Sequence, residues 1–165
     1  MYLIRGQHNL NLFKKRYPNE KLSATIGNFD GLHLGHQTIL RKIKNNSQKY
    51  GSKTAVFFTE PHAEEYFANK RDKNSFAPPR IFPWREKVKL LKENNINFAF
   101  FLKFNNTLRT MSPNRFISEI LESMNLVSFT VGDDFRFGQD RKGDIDLLKD
   151  WGSKNDILVE NTETI

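Results

Sequence analysis

The chain has 165 residues, 38% of them hydrophobic and 15 of them Phe, enough for one packed domain and too apolar for a disordered segment. It holds no cysteine, which excludes a disulfide framework and a thiolate-held metal within it and fits a cytoplasmic setting. Its formal net charge is +7, yet no apolar run approaches the roughly 18 residues of a membrane span, and Met1 to Arg5 lacks the charged-then-apolar layout of a secretory leader, so no membrane partner is expected.

In chain order, Tyr2–Arg5 reads as a short edge strand, 9–17 as a helical turn before Pro18, and 18–21 as a polar loop. Leu22–Ile26 is the first central strand and Leu34–Tyr50 a helix, with Ile39, Leu40 and Ile43 on its apolar face and Gly51 as its C-terminal cap. Residues 54–58 form a continuous apolar run, the mark of a strand buried on both faces. Thr59-Glu60-Pro61-His62 follows on that strand's carboxyl edge, where open α/β sheets bind ligands. That position favours a functional Pro61 and His62; the alternative is a strand-ending turn.

Residues 69–83 read as a long proline-bearing loop, Trp84–Glu93 as a helix and 98–102 as a buried strand. Ser112-Pro113 is a helix start, with Ser as N-cap and Pro at the first helical position. Its stripe of Phe116, Ile117, Ile120, Leu121 and Met124 is core. Residues 127–131 are a further strand, 144–151 a helix and 157–159 a last short strand. Strands alternating with helices, and apolar on both faces, predict a doubly wound α/β domain: a parallel sheet with helices on both faces.

Two segments carry chemistry. The first, Gly27-Asn28-Phe29-Asp30-Gly31-Leu32-His33-Leu34-Gly35-His36, joins the first central strand to its helix. A glycine-rich turn opening a helix there is a place to hold phosphates. Gly27, Gly31 and Gly35 let backbone approach a ligand or take positive φ. The helix start attracts an anion. His33 and His36, three apart, share a face on a first helical turn and can both donate to phosphate oxygens. Asp30 is placed to cap the turn or to help hold magnesium. The competing meanings are a zinc half-site, for which the segment lacks the remaining ligands, and plain surface histidines.

The second segment, Gly132-Asp133-Asp134-Phe135-Arg136-Phe137-Gly138, also leaves a strand's carboxyl end. Its acids and Arg136 could recognise a polar ring edge or a phosphate, and Phe135 and Phe137 could stack on an aromatic ligand. A tight turn with buried aromatics is the other reading.

These strings resemble the prokaryotic FAD synthetases, the bifunctional riboflavin kinase/FMN adenylyltransferases, in their N-terminal adenylyltransferase module. Leu3-Ile4-Arg5-Gly6 with His8-Asn9-Leu10, Phe58-Thr59-Glu60-Pro61-His62 and Arg85-Glu86-Lys87 match the same module in the same order. Ala63 stands where the family usually has a second proline, and Asp134 where many members have Asn.

The resemblance implies a Rossmann-like nucleotidylyltransferase fold over 1–165 and the reaction ATP + FMN giving FAD and pyrophosphate. It implies catalytic roles for His33 and His36, a nucleotide site at Gly27, Asn28, Phe29, Asp30, Gly31 and Gly35, and Mg²⁺ with protein ligands left unnamed. Pro61, His62, Asp133, Asp134, Phe135, Arg136 and Phe137 would flank FMN. Similar enzymes continue with a Ser-Ser-Thr-x-x-Arg-type stretch on the ATP phosphates and a fused riboflavin kinase module. Neither occurs here, so the chain is expected to be an adenylyltransferase module cut short of its last ATP-binding motif.

Two alternatives are a non-catalytic flavin- or nucleotide-binding fragment and a basic nucleic-acid-binding domain. The latter is disfavoured: Lys14-Lys15-Arg16, Arg41-Lys42, Lys70-Arg71 and Lys87, Lys89 and Lys92 are dispersed, with no recognition-helix, RNA-binding or zinc-finger pattern. The positive field would equally serve anionic small substrates.

Overall fold

Parallel strands cannot be joined by hairpins, so each needs a crossover that places a helix on a sheet face. The computed structural model, which describes residues 1–61, 63, 66, 67 and 84–163, shows this throughout. His62, the 69–83 loop and residues 164–165 lie outside the described residues.

The strands are β1 (Tyr2–Arg5), β2 (Leu22–Ile26), β3 (Lys53–Glu60), β4 (Phe98–Lys103), β5 (Leu126–Gly132) and β6 (Leu158–Thr162). They form one six-stranded sheet in the order β1-β4-β3-β2-β5-β6, every pair parallel. The helices are α1 (His8–Arg16), α2 (Leu34–Tyr50), α3 (Trp84–Glu93), α4 (Asn106–Arg109), α5 (Pro113–Phe116) and α6 (Ile145–Lys154).

Period-two alternation sends side chains to two cores. Ala24, Phe57, Phe100 and Phe129 meet Leu10 and Phe13 of α1 and Leu148 and Trp151 of α6. On the other face Val56, Phe58 and Phe101 meet Ile39, Leu40 and Ile43 of α2 and Leu91 of α3. The sheet is therefore wound on both faces, as expected. β2 has β3 on one side and β5 on the other, so the direction of winding reverses there, and a crevice opens at the carboxyl ends of such strands.

The strands are not apolar on both faces throughout. On β2 and β5, Ser23 is in register with Ser128 and Thr25 with Thr130, and all four are fully buried. They alternate with Leu22, Ala24 and Ile26 and so occupy the face across which α2 packs. Short hydroxyl side chains let that helix lie close to the sheet; the Ser23 hydroxyl pairs with that of Ser52 at 2.8 Å.

The expected helix after Ser112 is also different. Ser112 caps it, its hydroxyl accepting from the Arg115 N–H at 3.2 Å, but after α5 the chain widens into a π-helical turn over Ile117–Leu121. There the Glu122 N–H donates to the Ile117 carbonyl, five residues back, at 2.9 Å. All five stripe residues are buried, adjacent Ile120 and Leu121 included.

Candidate functional site

Three sequence segments singled out for function leave the carboxyl ends of three adjacent strands, β3, β2 and β5. The turn after β2 is the most constrained. The Gly27 N–H donates to the Phe57 carbonyl at 3.1 Å, which fixes the exit from the sheet. Asn28 is exposed, while the next residue, Phe29, buries its ring to 1% exposure.

Phe29 has φ 47° and Gly31 φ 73°. Gly31 adopts this left-handed geometry without steric cost; Phe29 does not, and its ring, packed in the α2–α3 core, holds it there. Of the three glycines, expected to let backbone approach a ligand or to take positive φ, only Gly31 takes it. Gly27 and Gly35 are small for another reason: a Cβ on Gly27 would meet the Phe29 ring at 3.1 Å, and one on Gly35 the His33 ring at 3.2 Å.

His33 and His36 sit where α2 begins, but they do not both lie on its first turn. His33 is the N-cap, with φ −68° and ψ 170°, and His36 is the third helical residue. The cap of α2 is therefore His33. The two imidazoles stack at 3.7 Å between centroids, 27° apart, and Phe29 backs His36 at 4.7 Å.

Their hydrogen bonds set opposite tautomers. His33 Nδ1 accepts from the His36 backbone N–H at 3.4 Å, so neutral His33 carries its proton on Nε2. His36 Nδ1–H donates to the Gly31 carbonyl at 2.7 Å, so neutral His36 has a lone pair on Nε2. Burial pushes the His36 imidazole below its ordinary value of 6.5; the Gly31 bond opposes this, the His33 and Lys87 charges add to it, and Asp30 opposes it. One ring is thus a ready donor, and the other presents a lone pair on Nε2 and donates there only when protonated.

The segment after β5 turns sharply, the Phe135 N–H donating to the Gly132 carbonyl at 3.2 Å. Asp133, Asp134 and Arg136 are exposed, and Arg136 donates to the Phe135 carbonyl at 3.0 Å. The Phe135 and Phe137 rings stack at 5.7 Å and 13°. Phe137 is in the core against Phe116 at 5.4 Å, and half-buried Phe135 packs against that core beside it. Pro61, after β3, is half-buried and follows a cis peptide bond.

Lys87 belongs to the Arg85-Glu86-Lys87 match and, by sequence, to the dispersed, solvated basic residues; the structure buries it instead. It lies in the first turn of α3, is 2% exposed, and its ammonium donates to the Asn28 carbonyl of the turn. It also stands 5.2 Å from the centre of the Phe58 ring. The available signal was its spacing: four residues before Leu91, it occupies the buried stripe of an amphipathic helix where an apolar residue belongs. Among the described residues there is no cluster of three or more His, Cys, Asp or Glu that could hold a metal, and no helix is long and apolar enough to cross a membrane.

An open parallel sheet, wound on both faces, whose switch point carries a glycine-rich turn and a stacked histidine pair, defines a Rossmann-type α/β domain with a candidate anion site at that point. The comparisons narrow this. A family model described as FAD synthetase matches residues 15–165, and the chain belongs to that family.

A "Bifunctional riboflavin kinase/FMN adenylyltransferase" of Buchnera aphidicola subsp. Schizaphis graminum is 37% identical over 160 residues, covering 96% of this chain and 48% of that protein. One of the same description from Escherichia coli K12 is 36% identical over 165 residues, covering 99% of this chain and 50% of that protein. The chain thus spans about half the length of the curated relatives it matches. A crystal structure described as a macrolide-efflux protein from Streptococcus pneumoniae superposes with TM-score 0.81 at 20% identity, over 100% of this chain and 51% of that one, and shares the fold.

Proposed function

We propose that this chain transfers AMP from ATP to FMN, releasing pyrophosphate and making FAD. The observation that carries the reading is the stacked His33–His36 pair at the start of α2, beside the switch point, in a chain of the FAD synthetase family. A phosphate oxygen of FMN forms a bond to the α-phosphorus of ATP as the bond from that phosphorus to the β-phosphate oxygen breaks. The attacking oxygen is already ionised at neutral pH, so positioning and charge stabilisation suffice and no general base is needed.

In this reading His33 donates through Nε2–H, and His36 takes a proton on Nε2 as phosphate arrives. Both then stabilise charge on the leaving pyrophosphate. Gly27, Asn28, Phe29, Asp30, Gly31 and Gly35 shape the nucleotide half. Pro61, His62, Asp133, Asp134, Phe135 and Arg136 flank the flavin, with Phe137 supporting them. Magnesium, which dehydrates reluctantly and is usually held by one or two carboxylates plus substrate phosphates, fits a turn that offers one acid, Asp30, better than a full protein cage. Bound there it would neutralise phosphate charge. The chain acts as the adenylyltransferase module of a bifunctional cytoplasmic enzyme whose riboflavin kinase lies outside it.

The test is to incubate the purified chain with FMN, ATP and Mg²⁺ and to follow FAD by chromatography. His36→Ala should lower turnover about 10²-fold or more while FMN binding, read by flavin fluorescence, changes little. Near-normal FAD formation by the variant overturns the histidine assignment. FMN and ATP binding without any FAD from the unaltered chain overturns the transfer reading.

A further inference from the structure

An ammonium buried without compensation is strongly disfavoured or loses its proton, so a lysine at 2% exposure needs a reason. On the buried stripe of α3, a methionine or leucine would fill the same volume with no charge to desolvate. Lys87 instead reaches the turn after β2 and donates to the Asn28 carbonyl. The Phe58 ring, 5.2 Å from the ammonium, offers its electron-rich face as further compensation.

The bond falls at a telling point. Asn28 immediately precedes left-handed Phe29, and the Gly31 carbonyl, at the other end of the same turn, is taken up by His36 Nδ1–H. Both carbonyl oxygens, the negative ends of their peptides, are therefore engaged by protein donors and withdrawn from any arriving anion. Beneath them lies a fixed positive charge that water does not reach and so does not screen.

We propose that Lys87 is a positioning residue of the nucleotide site: it holds the Gly27–Gly31 turn in phosphate-accepting form through the Asn28 carbonyl and places a buried positive charge under the phosphates. The groups whose charges bear on His36 agree with this placement: His33 from the cap of α2, Asp30 from the turn and Lys87 from α3. The phosphate part rests on the adenylyl-transfer reading; the hold on the turn and on His36 does not.

The experiment compares the unaltered chain with Lys87→Met and Lys87→Cys. Because the chain has no cysteine, the single thiol of Lys87→Cys can be alkylated with 2-bromoethylamine in denaturant before refolding, which rebuilds a lysine-like side chain. The His36 Cε1–H shift is followed by NMR against pH without ligand, and Mg²⁺·ATP binding by calorimetry. Removing the ammonium should raise the His36 titration midpoint and weaken ATP about tenfold. Aminoethylation should restore both.

An unchanged His36 midpoint in Lys87→Met overturns the proposal. So does a variant whose amide spectrum is disturbed throughout the sheet instead of at Gly27–His36, because the lysine would then serve the fold at large. If the unaltered chain does not bind ATP, the adenylyl-transfer reading fails, while the His36 titration still decides the role of Lys87.

Discussion

His36 is a half-buried ring whose proton balance links the site to the stability of the fold. Its folded-state affinity for protons is below the ordinary 6.5 because burial disfavours the cation, so the native state binds fewer protons than the unfolded chain. Its contribution is therefore fully present above about 6.5 and is lost as pH falls from there through the lowered value. Urea midpoints measured between pH 7 and 5 should decline more steeply for the unaltered chain than for His36→Asn, whose amide can still donate to the Gly31 carbonyl; parallel declines would show that the ring is not desolvated. At this scale, the string itself marks the candidate site, since glycines and histidines between a strand and a helix are the residue types an anion site uses. It does not mark how they share the work. Nothing local says that Phe29 and not Gly27 or Gly35 takes the left-handed angle, because that is imposed by where its ring is buried. Nor does the string say that His33 is the residue that caps the helix. The spacing of Lys87 before Leu91 marks it as buried, but not its partner, a backbone carbonyl distant in sequence.

α2 is the element that aims the site, and both its ends and its flank are tied down. His33 caps its start, Gly51 ends it in left-handed geometry at φ 59°, and on its flank Lys42 and Asn46 donate to Glu160 of β6 at 3.0 and 2.7 Å. Burial pushes the Glu160 carboxyl up, but the bonds from Asn46 and Lys42 and the charges of Lys42 and Lys49 outweigh it and hold the group below its ordinary 4.5. Glu160 thus gives stability that is present above about pH 4.5 and is lost as pH falls below it. Glu160→Gln keeps the Asn46 bond and removes the charge pair; it should cost about 1 kcal/mol at pH 7, with the gap from the unaltered chain closing below pH 4.5 in urea titrations. A gap that persists at pH 3 would mean that packing, not charge, joins α2 to β6. Elements were legible where periodicity is strong: α2 and α3 run over the residues their apolar spacing marks. The strands Tyr2–Arg5 and Leu22–Ile26 have the ends expected; those of β3 to β6 differ, because the ladder continues through pairs such as Glu60–Lys103 and Gly132–Thr162, which hydrogen-bond without needing to be apolar. The π-helical turn was hidden for a related reason: widening one turn changes the hydrogen-bond partner but leaves the apolar residues in the same order.

For the molecule as a whole, the parallel sheet makes β2 a dividing line, with the proposed nucleotide half at its own carboxyl end and the proposed flavin half on neighbouring β5 and β3. Two anionic ligands meeting there would both benefit from a chain of net charge +7, so charge alone does not tell them apart; geometry must. A ligand at 100 times its Kd stabilises the native state by about 2.7 kcal/mol, which for a domain of this size raises Tm by about 5–10 °C. ATP with Mg²⁺ and FMN, each added alone, should both produce a rise of that order in a thermal melt. Arg136 is exposed, and its hydrogen bond goes to the carbonyl of the preceding residue, so Arg136→Ala should leave the unliganded melt in place. If it faces the flavin, a tenfold loss of FMN affinity lowers the stabilisation to about 1.4 kcal/mol at the same concentration, roughly halving the FMN shift while the ATP shift stays whole. Equal loss of both shifts would put Arg136 on the phosphates that the two ligands share. A rise with a single-stranded oligonucleotide that fades with salt, and none with ATP or FMN, would instead make the basic surface the working face of the molecule.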